Sequence, residues 1–259
     1  MGNWFGLDSL KSVDDIITNV LYHPPAVNKE LMYRITDRHN VKSLNVTKNH
    51  VSINVLEVRP ESNVEIKKNL IIFSHGNATN NFLMFDYCNT LANALGILVC
   101  SYDYPQYGLS KGKLNEKSCC TALKIVIDHY VSLDFKITLV AQSIGTGVLI
   151  DYISKNDWTE SIILISPYMS IPSVITNTTF IDCIIKQNRY DSITKIQKVK
   201  CKVKIFHGVN DEIINIYHAK MLYGNLRNKS IPPSWLPNCG HNDILLKITA
   251  QDYINVIDD

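Results

Sequence analysis

The chain has 259 residues, which is long enough for one large domain with a substantial hydrophobic core. Its hydrophobic fraction of 46%, charged fraction of 19% and net charge of +2 exclude a disordered chain and argue against a nucleic-acid partner. No apolar run reaches the roughly eighteen residues that a membrane-spanning helix needs, so none is predicted.

Residues 1–29 are predicted to form an N-terminal amphipathic segment. Its apolar side chains recur at near-helical spacing: Leu7, Leu10, Val13, Ile17, Val20 and Leu21. Two interpretations stay open, a helix packed on the domain and a helix lying on a membrane surface. Trp4 and Phe5 favour the membrane surface, whereas early aspartates such as Asp14 disfavour an anionic one. We therefore expect weak peripheral membrane contact at most.

From residue 30 onward, short apolar runs alternate with longer helix-like segments, which is typical of βαβ units. Val51–Val58 alternates apolar and polar residues and should lie near a sheet edge, whereas Ile162–Ile165 and similar runs are continuously apolar, as in strands buried on both faces. The predicted strands are Leu31–Ile35, Val51–Val58, Leu70–Ser74, Ile97–Tyr102, Ile137–Ala141, Ser161–Ser166, Val203–His207 and Ser234–Pro237.

Helical patterns fill the intervals between these strands. The predicted helices are Asn81–Ala94, Glu116–Tyr130, Gly145–Ser154, Ile214–Tyr223 and Asn242–Ile257. Residues 168–200 interrupt the alternation with a connection too long for an ordinary loop, which predicts a small helical cap. The sequence thus indicates one α/β domain over residues 30–259, with a mostly parallel eight-stranded sheet flanked by helices.

The strongest motif is the segment Ile137–Gly147, which has the form of a strand, then Ala-Gln-Ser-Ile-Gly, then a helix. A nucleophile elbow needs a sharp turn that projects a serine hydroxyl from the end of a strand, with small residues on either side. Gly145 meets that need, and Ala141 replaces the usual first glycine. This context predicts Ser143 as a nucleophile, although serine is also a common helix N-cap.

A serine hydroxyl needs a base, and the base needs a carboxylate to fix its tautomer. In elbow-bearing folds these partners follow the serine in the order Asp or Glu, then His. Asp211 follows a buried strand, and His241 lies in the loop before the last helix. We predict these two residues as acid and base. Asp211 could instead cap the next helix, and Glu212 and Asp243 are alternative acids.

An acyl-transfer intermediate also needs two N–H donors for its oxyanion. The sequence predicts the main-chain N–H groups of Ile144, directly after the nucleophile, and of Asn77, in the loop after the third predicted strand. Gly76 permits an unusual turn there, and the Asn77 side chain is expected to hold the loop. His75 and His207 each start a His-Gly pair after a strand, and we interpret both as holding a loop by hydrogen bonds.

Cofactor and metal motifs are missing from the sequence. There is no GxGxxG or Walker sequence, and neither the histidines nor the seven cysteines have metal-ligand spacing. We therefore predict no cofactor and no metal. The odd number of cysteines and the adjacent pair Cys119 and Cys120 favour reduced thiols, and the N-terminus resembles no secretory signal, so a cytoplasmic location is expected.

Five strings together resemble the α/β-hydrolase-domain protein depalmitoylases, a family of membrane-associated serine hydrolases that cleave palmitoyl thioesters from cytosolic proteins. The strings are Ile71–Ala78 (IIFSHGNA), Ser101–Gly108 (SYDYPQYG), Ala141–Thr146 (AQSIGT), Phe206–Glu212 (FHGVNDE) and Gly240–Ile244 (GHNDI). The resemblance runs from about residue 50 to the C-terminus and implies the same Ser143, Asp211 and His241. It adds Asp103, Tyr104 and Tyr107 as a structured loop beside the pocket.

The resemblance implies an acyl ester or thioester substrate, with a lipidated protein as the specific case. A monoacylglycerol lipase or a small-ester carboxylesterase is the alternative enzyme, and a non-catalytic binding relative is a further one. The family carries an N-terminal cluster of palmitoylated cysteines, whereas the first cysteine of this chain is Cys88. The resemblance therefore does not extend to that lipid anchor.

Overall fold

The computed structural model describes residues 18–49, 51–61, 68–175 and 187–257. Eight strands form one sheet, and labels below count elements within the described residues. The strands are β1 (Val41–Lys48), β2 (Val51–Val58), β3 (Asn69–Ser74), β4 (Leu98–Tyr102), β5 (Lys136–Gln142), β6 (Ile162–Ile165), β7 (Val203–Gly208) and β8 (Ser234–Leu236).

The spatial order of the sheet is β1-β2-β4-β3-β5-β6-β7-β8. The strand β2 pairs antiparallel with β1 and β4, and the other five neighbouring pairs are parallel. The predicted mostly parallel eight-stranded sheet is therefore confirmed. The strand β2 lies one position from the edge, and its last six residues are buried rather than alternating, because helices cover both faces there.

Helices lie on both sides of the sheet. They are α1 (Lys29–Thr36), α2 (Phe85–Leu95), α3 (Glu116–Val131), α4 (Ile144–Lys155), α5 (Ile171–Ile175), α6 (Ser192–Lys195), α7 (Ile216–Asn225) and α8 (Ala250–Ile257), with 3₁₀ turns at Ile196–Lys198 and Ile244–Leu246. No helix in the described ranges is long and apolar enough to cross a bilayer.

The predicted strand Leu31–Ile35 is wrong, because these residues belong to α1. The Asn28 side chain accepts a hydrogen bond from the Leu31 N–H and caps the helix, an interaction that the short apolar run did not indicate. The first strand is instead β1, whose sparse apolar residues alternate with polar ones on an exposed edge. Eight strands were expected because one wrong strand replaced one missed strand.

The predicted helix over Asn242–Ile257 is also wrong in extent, since it divides into a 3₁₀ turn and α8. Thr249 and Asp252 start a new helix between the two: the Thr249 N–H donates to Asp252 Oδ2 at 2.8 Å, and the Asp252 N–H donates to Thr249 Oγ1. Such a reciprocal cap fixes a helix start and stops the preceding turn from continuing.

Each interior strand separates two hydrophobic cores. On β3, Leu70 and Ile72 belong to the core on the side of α3, α4 and α7, whereas Ile71 and Phe73 belong to the core on the side of α1, α2 and α8. This burial on both faces explains the continuous apolar runs. Of the predicted cap, α5, α6 and one 3₁₀ turn are described, and residues 176–186 lie outside the described part. Residues 1–17 also lie outside it, so the N-terminal segment stays a prediction.

Helix α4 packs very closely against the strand ends, and its glycines make this possible. A Cβ atom at Gly145 would overlap the Ser74 carbonyl and lie 2.9 Å from the His75 carbonyl oxygen. Both obstacles are backbone atoms of β3 and its following loop, so no flexible side chain can move aside. The contact requires glycine at this position.

We predict that Gly145→Ala lowers the free energy of unfolding by about 1–3 kcal/mol or more, because the methyl group overlaps fixed backbone. Gly224→Ala is the matched control: Gly224 lies in α7, and its added Cβ would meet no atom within 4 Å. That variant should raise stability by about 0.5–1 kcal/mol through helix propensity. Urea titration of both variants tests this, and equal stability of the two would contradict the packing argument.

Candidate active site

Ser143 occupies the turn between β5 and α4. Its backbone has φ 51° and ψ −122°, a conformation that non-glycine residues rarely adopt. The turn is held by the Ser143 N–H, which donates to the Ile165 carbonyl at 2.9 Å, and by the Ser143 carbonyl, which accepts from the Thr146 N–H at 2.9 Å. The strand, sharp turn and helix therefore form the predicted elbow.

The His241 imidazole contacts both other residues of the predicted triad. Its Nε2 lies 3.0 Å from Ser143 Oγ, and its Nδ1 lies 2.7 Å from Asp211 Oδ2. A carboxylate only accepts, so Nδ1–H donates to Asp211, and Nε2 is left to accept the Ser143 hydroxyl proton. The structure thus brings the three predicted residues together, with the imidazole in the tautomer that a base requires.

Asp211 uses its two oxygens for different partners. Oδ2 binds His241, while Oδ1 accepts from the N–H groups of Ile213, at 3.0 Å, and Ile214, at 2.7 Å. Burial alone would raise the pKa of Asp211, but the hydrogen bonds from His241 and Ile214 hold that pKa below its usual value. Asp211 therefore stays ionised beside His241 at neutral pH.

His207 supports the loop that carries Asp211. Its Nε2–H donates to the Ile214 carbonyl at 2.8 Å and lies 3.5 Å from Asp211 Oδ2. Burial lowers the pKa of His207, so the ring stays neutral. Its loop-holding interpretation agrees with these contacts. The alternative acids are occupied elsewhere or exposed: Asp243 Oδ1 accepts from the Gly240 N–H at 2.8 Å, and Glu212 faces solvent.

The two predicted oxyanion donors lie at the same end of the sheet. Ile144 is the first residue of α4, so its N–H has no acceptor within the helix. Gly76 lies directly opposite the elbow, and a Cβ atom there would be 3.6 Å from Ser143 Cβ. This contact places the loop that carries Asn77 beside the serine.

The sequence did not predict that the segment with Leu21 and His23 holds the Asn77 side chain. The Asn77 Nδ2 group donates to the Leu21 carbonyl at 2.6 Å, and its Oδ1 accepts from the His23 N–H at 3.0 Å and from the Tyr107 hydroxyl at 2.6 Å. These partners lie 30 to 56 positions from Asn77 in sequence, so no local pattern signals the contacts. The Asn77 side chain therefore joins three segments, which agrees with its expected loop-holding part.

The serine opens into a cleft of about 500 Å³. Most of its wall is apolar and comes from the N-terminal segment, α5 and the Asp211 loop. The apolar lining residues are Leu21, Met84, Ile144, Ile171, Val174, Ile213 and Ile214. Gln142, Tyr168 and Asn242 add polar atoms near His241. The cleft suits a mostly apolar molecule that carries one reactive polar group.

No protein-family model matches the chain. Protein L404 of Acanthamoeba polyphaga mimivirus, whose own name assigns it provisionally to the alpha/beta hydrolases, is 38% identical over 265 residues, covering 100% of this chain and 99% of that protein. The chain belongs to the α/β-hydrolase family.

More distant relatives agree with this assignment. Human alpha/beta hydrolase domain-containing protein 17C is 33% identical over 181 residues, covering 68% of this chain and 54% of that protein. The Caenorhabditis elegans protein aho-3 is 32% identical over 219 residues, covering 81% of this chain and 63% of that protein. This α/β hydrolase thus spans little more than half of these relatives, although it matches the mimivirus protein throughout.

Solved structures share the fold. Est1E from Butyrivibrio proteoclasticus, solved with ferulic acid, has a TM-score of 0.69 at 18% identity and covers 83% of this chain and 100% of its own. XC6422 from Xanthomonas campestris, a serine hydrolase without a lid, has a TM-score of 0.58 at 17% identity, with 85% and 93% covered. At such identities these structures establish the α/β-hydrolase fold of this chain and nothing about its substrate.

We predict that Asp211→Asn lowers kcat by about 10²–10⁴-fold, because the amide no longer fixes the His241 tautomer. Asp243→Asn is the matched control, since its Oδ1 can still accept from the Gly240 N–H. That variant should keep activity within a few-fold. Steady-state kinetics on an activated ester compares the two variants. An inactive Asp243→Asn together with an active Asp211→Asn would show that Asp243, and not Asp211, is the acid.

Proposed function

We propose that this α/β hydrolase is a serine hydrolase that cleaves an acyl ester or thioester through an acyl-enzyme. The observation that carries the proposal is the unbroken set of contacts from Asp211 through His241 to Ser143, which ends at the apolar cleft. Nucleophile, base and orienting acid in hydrogen-bond reach are the requirement for activating a serine. In this proposal the three residues form the catalytic triad.

The first half of the reaction transfers the acyl group to the enzyme. His241 Nε2 takes the hydroxyl proton as Ser143 Oγ attacks the carbonyl carbon, and the N–H groups of Asn77 and Ile144 bind the oxyanion that forms. The tetrahedral intermediate then collapses, the bond to the leaving oxygen or sulfur breaks, and His241 gives its proton to the leaving group. An alcohol or thiol departs.

The second half hydrolyses the acyl-enzyme. His241, neutral again, removes a proton from a water molecule that attacks the ester carbonyl, and the same two N–H groups bind the second oxyanion. Collapse returns the proton from His241 to Ser143 Oγ and releases a carboxylic acid. Asp211 stabilises the imidazolium in both halves and does not change its own protonation.

The substrate that we favour is a protein thioester of a long acyl chain, which would make this enzyme a depalmitoylase. Two observations support it. The five sequence strings resemble the depalmitoylases, and protein 17C from human and other vertebrates is 33% identical to this chain. The cleft wall is also apolar from Leu21 to Ile214, as an acyl chain requires. A monoacylglycerol or small-ester substrate is the second candidate, because the contacts of Ser143, His241 and Asp211 and the apolar cleft also suit these esters.

We expect Ser143→Ala to abolish labelling by a fluorophosphonate probe and to reduce hydrolysis by about 10⁴-fold or more, because no other group replaces Oγ. Ser154→Ala on the same helix is the control; its hydroxyl bonds the Asp151 carbonyl, and labelling should persist. In-gel fluorescence measures both. Labelling that survives in Ser143→Ala would overturn the assignment of the nucleophile.

A second prediction concerns substrate choice. On acyl thioesters and glycerol esters of increasing chain length, kcat/KM should rise by up to roughly fourfold for each added methylene until the cleft is full, because each methylene leaves water. A long-chain thioester should exceed the matching glycerol ester. A preference for short chains would favour the small-ester alternative, and a preference for the glycerol ester would favour the lipase.

A further inference from the structure

His75 is fully buried directly before the loop that supplies the Asn77 N–H. Its Nδ1 lies 2.7 Å from the carbonyl oxygen of Gly76. A carbonyl oxygen only accepts, so Nδ1 carries a hydrogen and donates it there. This bond engages Nδ1, and Nε2 on the other side of the ring faces the residues behind the loop.

Nε2 faces the carboxylate of Asp103. The distance from Nε2 to Asp103 Oδ1 is 3.5 Å, and both side chains are fully buried. If the ring were neutral, its Nε2 lone pair would point at a carboxylate, and two acceptors would meet in the core. Within the described residues, Nε2 has no hydrogen-bond partner, and His75 is the only basic group paired with Asp103. A buried carboxylate without a cation is strongly disfavoured.

The surroundings of the imidazole also suit a positive charge. The Tyr104 and Tyr107 rings lie 4.6 Å and 5.7 Å from the imidazole centroid, within the range in which aromatic rings attract a cation. Asp103 is held in place by the Asn81 N–H, which donates to Oδ1 at 2.9 Å. Gly108 closes against the other oxygen, because a Cβ atom there would overlap it.

We propose that His75 and Asp103 form a buried ion pair, with a proton on each ring nitrogen of His75, and that this imidazolium polarises the peptide group that joins Gly76 to Asn77. The Gly76 carbonyl and the Asn77 N–H belong to this one peptide. A charged donor on the carbonyl draws electron density from the group and makes the N–H a stronger donor to an oxyanion. His75 and Asp103 are positioning residues, and this step rests on the proposed function.

Polarisation of the peptide by His75 can be distinguished from a purely structural role of His75 in holding the loop. Tyr104 provides the comparison. The Tyr104 hydroxyl donates to the His75 carbonyl at 2.7 Å, so it anchors the same loop through the preceding peptide. Removing that bond loosens the loop without changing the charge on the Gly76–Asn77 peptide. Loss of the imidazolium should therefore affect catalysis more than loss of the Tyr104 hydroxyl.

The protonation of the two ring nitrogens of His75 is measured by ¹⁵N NMR of the histidine side chains. The His75 signals are assigned by their disappearance in His75→Gln. We expect protons on both ring nitrogens of His75 at neutral pH, and on Nδ1 alone in Asp103→Asn. A single protonated nitrogen in the unmodified protein would overturn the proposal. This readout needs no turnover, so an inactive protein would contradict the proposed function and still leave the ion pair testable.

The kinetic consequence is tested with the same two variants. Removing one oxyanion donor costs about 10²–10³ in kcat, and charged hydrogen bonds are about twice as strong as neutral ones, so His75→Gln and Asp103→Asn should each lower kcat by about tenfold. KM should change by less than about twofold, because the effect arises in the transition state. The inhibition constant of a trifluoromethyl ketone, whose adduct carries the oxyanion, should rise by about the same tenfold factor.

Two controls separate this effect from loosening of the loop. Tyr104→Phe should lower kcat by less than about threefold, and His129→Gln on α3 should leave kcat unchanged. Equal losses in Tyr104→Phe and His75→Gln, or losses that follow the folded fraction alone, would overturn the proposal. If His75→Gln does not fold, the Asp103→Asn variant decides it: the histidine signal that loses a proton in that variant is assigned to His75, and the kinetic loss is measured on the same protein.

Discussion

The sharp turn at Ser143 is the constraint on which the rest of the site depends. A residue with φ 51° carries a strain of about 1–3 kcal/mol, and it persists because the neighbours of the turn leave it no alternative. The Ser143 N–H is bonded to β6, and helix α4 starts at once, with Gly145 against the backbone of β3. Close packing of helix and strand thus exposes one hydroxyl at the cleft and brings the β3 loop beside it.

Asp211 is a second residue on which the site depends, because its two oxygens have different partners. The sequence left two interpretations open for Asp211, a helix cap and the acid of a triad. The cap of α7 is Asn215, and Asp211 bonds N–H groups of the loop before that helix as well as His241. One oxygen binds main-chain N–H groups, and this fixes the carboxylate so that the other oxygen can hold His241 at 2.7 Å. Burial raises the pKa of this carboxyl, but the hydrogen bond from His241 and the N–H bond from Ile214 together hold it below its usual value, so the bond that fixes the loop also favours the ionised state.

The sequence predicted the candidate active-site residues better than it predicted the first helix and the edge strand of the fold. Ser143, Asp211 and His241 lie in motifs whose strand and helix context is local, and the structure brings all three into contact. The prediction for Leu31–Ile35 is wrong because a five-residue, mostly apolar segment fits a strand or a helix equally well, and the Asn28 cap favours the helix. The edge strand β1 was missed because half of its residues face solvent.

The contacts of Leu21 and His23 with Asn77 could not be predicted, because they depend on tertiary packing alone. These contacts nevertheless explain how Asn77 can hold the loop with its side chain and supply its main-chain N–H for the proposed chemistry. The Asn77 side chain is fully engaged with the N-terminal segment and Tyr107, while His75 bonds the Gly76 carbonyl, which belongs to the same peptide as the Asn77 N–H. With both the side chain and that carbonyl fixed, the Asn77 N–H keeps a single direction. A donor that needs no reorientation during reaction stabilises an oxyanion best, so the loop is constrained where the proposed chemistry requires it.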